Sequence, residues 1–316
     1  MVAHRRILAP HARPASLRSA PSAGWDYGAS DRPDWRDVHW PAYLRAMTVD
    51  ARRVHFAAIG SGHGAPILLI HGLGGRWQNW LENIPRLSKH RRVVAVDLPG
   101  FGHSQPPLAP ISIDGYARAL DRVCDLLELD AAVIVGSSLG GSVAVELALR
   151  HPARVERLVL VSAACLGPAQ VSPQSAQLAI AAVGRLATAL PQGVNSTLRR
   201  PRARHLGFAA VLRHPTRVAT DMLYELTGGV RPPGTPGALA ALSAHVIREE
   251  LGTIAVPTLV IHGRNDMLVP CSDGEQLAAL VPEAELVIFE DTGHMPMVER
   301  PVPFNDEVLR FADAGA

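Results

Sequence analysis

The stretch Gly136-Ser137-Ser138-Leu139-Gly140 lies between an apolar run, residues 131–135, and a helix-forming run that continues to residue 150. A strand that turns sharply into a helix holds its middle residue at strained backbone angles and leaves room only for small residues two positions away. Gly136 and Gly140 meet that requirement. The pattern predicts that Ser138 is an exposed nucleophile and that the backbone N–H of Leu139 points to where an oxyanion would form.

A nucleophilic serine needs a histidine base, and that histidine needs a carboxylate that fixes its tautomer. Asp266 follows the apolar run 257–261, and His294 follows the run 284–289, so both come after predicted strands. The chain order serine, aspartate, histidine is typical of one class of serine hydrolase fold. We predict Ser138, Asp266 and His294 as the catalytic residues. Asp291 is a weaker candidate acid because it shares a turn with His294.

The second oxyanion donor is expected from the glycine-rich loop His71-Gly-Leu-Gly-Gly75, which follows the apolar run 66–70. Glycine lets the backbone approach a substrate carbonyl, and we assign the donor to the N–H of Leu73. His71 is expected to hold this loop by hydrogen bonds rather than to act as a base. The sequence has no H-E-x-x-H pattern and no Cys/His pairs at ligand spacing, so neither a metal nor a cofactor is expected.

The composition indicates one large globular domain with an insertion. The chain has 316 residues, 47% of them hydrophobic, and a formal net charge of +2, which gives no reason to expect a nucleic-acid partner. Three widely spaced cysteines without a C-x-x-C pattern indicate no disulfide framework and fit a reducing compartment. No apolar run reaches 18 residues, so no membrane span is predicted. We expect a cytoplasmic protein and leave its oligomeric state open.

The order of elements along the chain predicts an α/β fold with a mostly parallel eight-stranded sheet. Short runs of Val, Ile and Leu alternate with helix-sized segments, as expected of a sheet covered on both faces. Such sheets bind ligands at the carboxyl ends of their strands, where all the candidate residues lie. The predicted strands cover residues 47–49, 54–59, 66–70, 92–96, 131–135, 157–161, 257–261 and 286–289.

Three segments interrupt or precede this alternation. Residues 1–34 are basic and are predicted to form a disordered tail, followed by a short helix within 35–47. Residues 166–247 are predicted to form a helical cap inserted into a core of residues 35–165 and 248–316. The apolar positions of 177–190 and 208–212 suit an acyl pocket, although packing between helices explains them equally well.

The cap also contains an arginine cluster, Arg199–Arg204. A charge run of this kind is usually a solvated face, and the alternative is a preference for anionic substrates or surfaces.

Five motifs together give the chain a resemblance to the capped, esterase-like branch of the α/β-hydrolase superfamily over about residues 47–313. They are His71-Gly-Leu-Gly-Gly75, Asp97-Leu-Pro-Gly-Phe-Gly-His-Ser104, Gly136-Ser-Ser-Leu-Gly-Gly141, Gly263-Arg-Asn-Asp266 and Gly293-His-Met-Pro-Met-Val-Glu-Arg-Pro301. Members that act on haloalkanes or epoxides use an aspartate nucleophile, so Ser138 argues against both reactions. Members that cleave carbon–carbon bonds usually carry a tryptophan shortly after the histidine, where this chain has Met295-Pro296-Met297.

Three functions remain open on this basis. The resemblance favours a carboxylesterase that cleaves esters, lactones or thioesters of a small-molecule substrate through an acyl-enzyme on Ser138. The first alternative is a C–C bond hydrolase of vinylogous diketone ring-fission products. The remote alternative is a non-catalytic binding protein on the same fold, which would be marked by a broken triad or a lost oxyanion loop.

Overall fold

The computed structural model describes residues 12–17, 22, 26–166, 198–228 and 232–314. Its centre is an eight-stranded sheet, as predicted. Every predicted strand is present, and the bounds differ by a few residues at most. The strands are β1 (Leu44–Val49), β2 (Arg52–Ile59), β3 (Ile67–Ile70), β4 (Val93–Val96), β5 (Ala132–Ser137), β6 (Val155–Val161), β7 (Thr258–Gly263) and β8 (Glu285–Phe289).

The strands lie in the order β1-β2-β4-β3-β5-β6-β7-β8. The β1–β2 and β2–β4 pairs are antiparallel, and all pairs from β4 to β8 are parallel. Because the parallel strands all end at one edge, the loops that follow β3, β5, β7 and β8 meet there. The β6–β7 pair joins the most distant parts of the sequence, with Leu158 opposite Thr258.

Helices cover both faces of the sheet. Strand β3 shows why: all four residues of Ile67–Ile70 are fully buried. Leu68 and Ile70 pack into one core and Ile67 and Leu69 into the other, because successive strand residues face opposite sides. Numbered over the described residues, the helices are α1 (Ile84–Leu87), α2 (Ile113–Leu126), α3 (Leu139–Arg150), α4 (Pro201–Phe208), α5 (Thr220–Thr227), α6 (Thr235–Ala244), α7 (Cys271–Leu280), α8 (Pro296–Glu299) and α9 (Pro301–Asp313).

Helices α4, α5 and α6 belong to the segment between β6 and β7, which we call the β6–β7 insertion. Phe208 and Leu212 are buried in the second core, so their apolar character is explained by packing. The predicted apolar stretch 177–190 lies outside the described residues. Arg204 donates to the carbonyl oxygens of Leu198 and Thr216, which makes it part of the fold of the insertion.

Two expectations for the N-terminal part are wrong. Residues 26–34 are not disordered: Tyr27 and Asp31 are buried, and Asp26 pairs with Arg300. The segment 35–47 does not form one helix. It forms two 3₁₀ turns, Trp35–Asp37 and Trp40–Ala42, and β1 then begins at Leu44. Pro41 lies inside the second turn, and the following backbone pairs with β2, which ends any helix there.

All three cysteines are buried and free, as expected of small apolar side chains. Within the described residues, no helix is long and apolar enough to cross a membrane.

Candidate active site

Ser138 occupies a strained turn between β5 and α3. Its φ is 54° and its ψ is −115°, a conformation that non-glycine residues seldom adopt. A Cβ on Gly136 would lie 2.2 Å from the carbonyl oxygen of Gly140, and one on Gly140 would lie 2.4 Å from that of Ile70. The two glycines are therefore required by the close approach of strand, helix and neighbouring strand.

This close packing predicts a large cost for Gly136→Ala. The added methyl must displace backbone atoms, so we expect the free energy of unfolding to fall by about 3 kcal/mol. Gly252→Ala is the matched control, because the nearest atom to its added Cβ is the carbonyl oxygen of Leu280 at 3.9 Å. That variant should stay within about 0.5 kcal/mol of the wild type in urea unfolding. Equal losses in the two variants would contradict the packing explanation.

Asp266 and His294 form a buried pair. His294 Nδ1 lies 2.7 Å from Asp266 Oδ2. The other carboxylate oxygen, Oδ1, accepts from the backbone N–H groups of Leu268 at 2.8 Å and Val269 at 3.0 Å. Burial acts to raise the pKa of Asp266, but the charge of His294 and hydrogen bonds from two histidines outweigh it and hold that pKa well below its ordinary value. Asp266 is therefore ionised at neutral pH.

His262 is a second histidine on the same carboxylate, which sequence reasoning did not assign. It lies fully buried in β7, and its Nε2 is 3.3 Å from Asp266 Oδ2 and 2.9 Å from the carbonyl oxygen of Val269. A bond to a carbonyl shows that Nε2 carries a proton. The spacing of four residues before Asp266 is the sequence signal that could have indicated this contact.

The loop after β3 passes directly beside Ser138. A Cβ on Gly72 would lie 3.1 Å from Ser138 Cβ and 3.7 Å from Ser138 Oγ. A turn closed by Gly75 N–H and the carbonyl oxygen of Gly72, 3.0 Å apart, carries Leu73, and Gly74 has a φ of +73°. Leu139 begins α3 on the other side of Ser138. Both backbone segments assigned to the oxyanion site therefore adjoin Ser138.

His71 holds this loop in place, as expected. Its Nε2 accepts from the N–H of Leu98 at 3.0 Å, so Nδ1 carries the proton and donates to the carbonyl oxygen of Gly72 at 2.8 Å. Burial lowers the pKa of His71 despite opposing effects of Asp97 and Gly72, so the ring is neutral and both bonds persist at neutral pH. The tautomer thus follows from its two partners.

These bonds predict the effect of His71→Phe. The phenyl ring should keep the edge contact with Phe101, but the carbonyl oxygen of Gly72 loses its donor and the turn that carries Leu73 is released. A shift of about 1 Å in such a loop can cost about 100-fold in rate, so we expect phosphonylation of Ser138 by a fluorophosphonate to slow by about 10- to 100-fold. An unchanged labelling rate, measured by intact mass, would show that the loop needs no support from His71.

Asp97 supports the other end of the same loop, a role that its motif alone did not suggest. Its Oδ1 accepts from the N–H of Trp77 at 2.8 Å, and its Oδ2 accepts from the N–H of His103 at 2.9 Å. Burial acts to raise the pKa of Asp97, but hydrogen bonds from His55 and His103 outweigh it and lower that pKa. The motif that begins at Asp97, directly after β4, therefore holds the end of the β3 loop in place.

Asp291, the weaker candidate acid, has other partners. Its Oδ2 lies 2.9 Å from His214 Nε2, and its Oδ1 accepts from Arg213 Nε at 3.0 Å. Asp291 thus binds residues of the β6–β7 insertion, whereas Asp266 binds His294.

The fold and this arrangement of loops define an α/β hydrolase, and the chain belongs to the α/β-hydrolase fold family, whose profile matches residues 65–301. Among curated relatives, the chain is 35% identical over 274 residues to 2-hydroxymuconate semialdehyde hydrolase of Pseudomonas sp. strain CF600, with 81% of this chain and 90% of that protein covered. It is 31% identical over 258 residues to the pimeloyl-[acyl-carrier protein] methyl ester esterase of Vibrio cholerae, with 80% and 96% covered.

Among solved structures, the chain is similar to the meta-cleavage product hydrolase CumD of Pseudomonas fluorescens IP01. The TM-score is 0.69 at 26% identity, and the match covers 87% of this chain and 99% of that one. The predicted superfamily and fold class are therefore confirmed.

Proposed function

We propose that this hydrolase cleaves carboxylic esters, lactones or thioesters through an acyl-enzyme on Ser138. The observation that carries the proposal is the buried bond of 2.7 Å between Asp266 and His294, in the loops that follow β7 and β8 at the same edge of the sheet as the Ser138 turn. Serine hydrolysis needs this pairing, because the carboxylate orients the imidazole and stabilises its protonated form. Asp266 is ionised and has four donors around it, so it suits that task.

In the proposed reaction, Ser138 Oγ attacks the substrate carbonyl and His294 takes the hydroxyl proton on Nε2. The negative oxygen of the tetrahedral intermediate accepts from the N–H groups of Leu73 and Leu139. His294 then donates its proton to the leaving group, and water releases the acyl group by the reverse sequence. Each step uses only groups of this chain and water.

The β6–β7 insertion is proposed to be the cap over Ser138. Three contacts support this position: His294 N–H donates to the carbonyl oxygen of Val211 at 3.0 Å, and Arg213 and His214 reach the turn that precedes His294. A second link joins the oxyanion loop to α5, because Arg76 Nη2 donates to Glu225 Oε2 at 2.9 Å. The insertion is thus attached to loops on two sides of the nucleophile.

Cleavage of a carbon–carbon bond is the second candidate. It is favoured by the similarity to 2-hydroxymuconate semialdehyde hydrolase. Met295 and Met297 stand where members with that activity usually carry a tryptophan, so we place ester cleavage first. The site geometry described above serves both reactions.

Hydrolysis of p-nitrophenyl esters from acetate to octanoate tests the proposal and separates the candidates. Turnover that is lost in Ser138→Ala supports the esterase, and its variation along the series reports the acyl chain that the pocket accepts. Turnover of a vinylogous diketone ring-fission product with none of the esters would favour the second candidate. No turnover of either kind, with no covalent labelling of Ser138, would contradict the proposed function.

A further inference from the structure

Glu299 is a completely buried carboxylate that binds the backbone on both sides of His294. It accepts from the N–H of Gly293 at 3.0 Å and from the N–H of Met295 at 3.2 Å. These two residues flank His294 in the chain, so the direction in which the imidazole projects depends on where this carboxylate lies. Glu299 is part of a sequence motif quoted above, but nothing in the reaction uses it.

The same carboxylate also binds the β6–β7 insertion. Glu299 Oε2 accepts from the N–H of Arg213 at 2.7 Å. His294 itself donates its N–H to the carbonyl oxygen of Val211 in the insertion. The buried carboxylate of Glu299 therefore holds the loop of residues 293–295, which we call the histidine loop, against residues 211–214.

The third segment at this point is the N-terminal stretch 26–28, which precedes the part of the chain that matches the family profile. The Tyr27 hydroxyl donates to Glu299 Oε2 in a short hydrogen bond and accepts from the N–H of His214 at 2.8 Å. Burial, followed by the charge of Glu299, raises the pKa of Tyr27 well above its ordinary value, so the hydroxyl keeps its proton and remains a donor.

The neighbours of Tyr27 fix this stretch in place. Gly28 N–H donates to the carbonyl oxygen of Glu299 at 2.7 Å, and Arg300 binds Asp26 through two hydrogen bonds. Gly28 has a φ of +70°, and a Cβ there would lie 2.5 Å from the carbonyl oxygen of Arg217. Glycine is therefore required for the backbone to pass between the core and the insertion.

The hydrogen bond from Tyr27 offsets part of the cost of burying the Glu299 carboxylate. Burial of a carboxylate is costly unless hydrogen bonds replace its hydration. The donors named above are three backbone N–H groups and one side chain, and none of them is a charged side chain. Burial is the largest effect on the pKa of Glu299, and it raises that pKa against these bonds. Loss of the Tyr27 hydroxyl would leave a buried charge with one donor fewer.

We propose that Tyr27 is a positioning residue for His294: through Glu299, the stretch 26–28 fixes both the histidine loop and residues 211–214 of the insertion. The inference rests on the proposed role of His294 as the base. The competing explanation is that Tyr27 contributes to stability alone, which would leave the reactivity of Ser138 unchanged in the folded protein.

The test uses the full chain and needs no knowledge of the substrate. A fluorophosphonate modifies Ser138 as its Oγ–P bond forms, the P–F bond breaks with loss of fluoride, and His294 takes the hydroxyl proton. We expect Tyr27→Phe to lower the second-order rate of labelling, followed by intact mass, by about 10-fold, as for loss of one hydrogen bond to a buried charge. Tyr43→Phe, which removes a hydroxyl just before β1, should label like the wild type.

Hydrogen exchange is the second readout. The amides of Gly293, Met295 and Arg213 should exchange about 10-fold faster in Tyr27→Phe, while the amides of β3 keep their wild-type rates. Because Tyr27 is proposed to act through Glu299, the double variant Tyr27→Phe/Glu299→Gln should label no more slowly than Glu299→Gln alone.

The outcomes separate the two proposals. A wild-type protein that the probe does not label would remove the proposed function and this inference with it. A labelled wild type with an unchanged labelling rate in Tyr27→Phe would overturn the inference alone. Additive losses in the double variant would also overturn it, because Tyr27 would then act by a route other than Glu299.

Discussion

Ser138→Ala is expected to lower kcat for ester hydrolysis by about 10⁶-fold, the scale of loss seen when the nucleophile of a serine hydrolase is removed. The proposed reaction has no other group to form the acyl-enzyme. The residual rate would come from substrate binding and the two backbone donors, which the substitution leaves in place. Steady-state kinetics and the loss of covalent fluorophosphonate labelling measure this effect independently.

The same variant should fold normally. The Ser138 backbone makes the contacts that define the turn: its N–H donates to the carbonyl oxygen of Val161, and its carbonyl oxygen accepts from Gly141 and Ala164. Alanine retains all of these, so we expect the free energy of unfolding to stay within about 0.5 kcal/mol of the wild type. Ser137→Ala, one residue earlier, is the matched control and should remain active. Substantial hydrolysis by folded Ser138→Ala would exclude an acyl-enzyme on this serine.

Asp266→Asn is expected to lower kcat by about 10⁴-fold through a change of tautomer. Leu268 and Val269 donate to Oδ1, so the amide oxygen should take that position and the NH₂ group should face His294 Nδ1. Two donors cannot bind one another, and the histidine proton then moves to Nε2, which can no longer accept from Ser138. Asp273→Asn removes a neighbouring buried carboxyl and is the control. Activity within about tenfold of the wild type would contradict the assigned acid.

The pKa of Asp266 also fixes the pH at which its contribution to stability is lost. Its pKa in the folded protein lies below the ordinary value of about 3.9. The stabilisation is therefore complete above the unfolded-state pKa and is lost as the pH falls through the folded-state value. In urea unfolding, the stability difference between the wild type and Asp266→Asn should shrink as the pH falls below about 5. A difference that keeps growing below that pH would contradict the pKa shift.

The sequence predicts most of the sheet because buried parallel strands carry an unambiguous signal. Runs such as residues 67–70 are short and apolar at every position, as expected of a strand that is covered on both faces. The turn at Ser138 was predictable for a similar reason, since two glycines at fixed spacing reflect local steric limits. By contrast, the N-terminal stretch looks like a disordered tail because its anchors are single residues. Tyr27 and Asp26 find their partners about 270 residues away, and no local pattern encodes that distance.

The contacts that hold the candidate site residues in place could not be predicted from local sequence patterns. The role of Glu299 depends on three chain segments that meet only in the folded protein. His262 is an ordinary member of an apolar strand in the sequence, and its contact with Asp266 depends on how the loop after β7 turns back. Asp97 and Glu299 both lie in motifs that identify the family without stating what the residues bind.

The pairing of β6 with β7 has a consequence for how activity appears during folding. Leu158 and Thr258 are 100 residues apart in sequence, so this contact closes a long loop and carries a large entropic cost. Ser138 lies before that closure, and Asp266 and His294 lie after it. A ribosome-bound chain that has emerged only as far as β6 therefore carries the proposed nucleophile without its proposed base. In refolding experiments, reactivity of Ser138 should return with the phase that joins the two halves of the sheet, later than the signal from β3, β4 and β5.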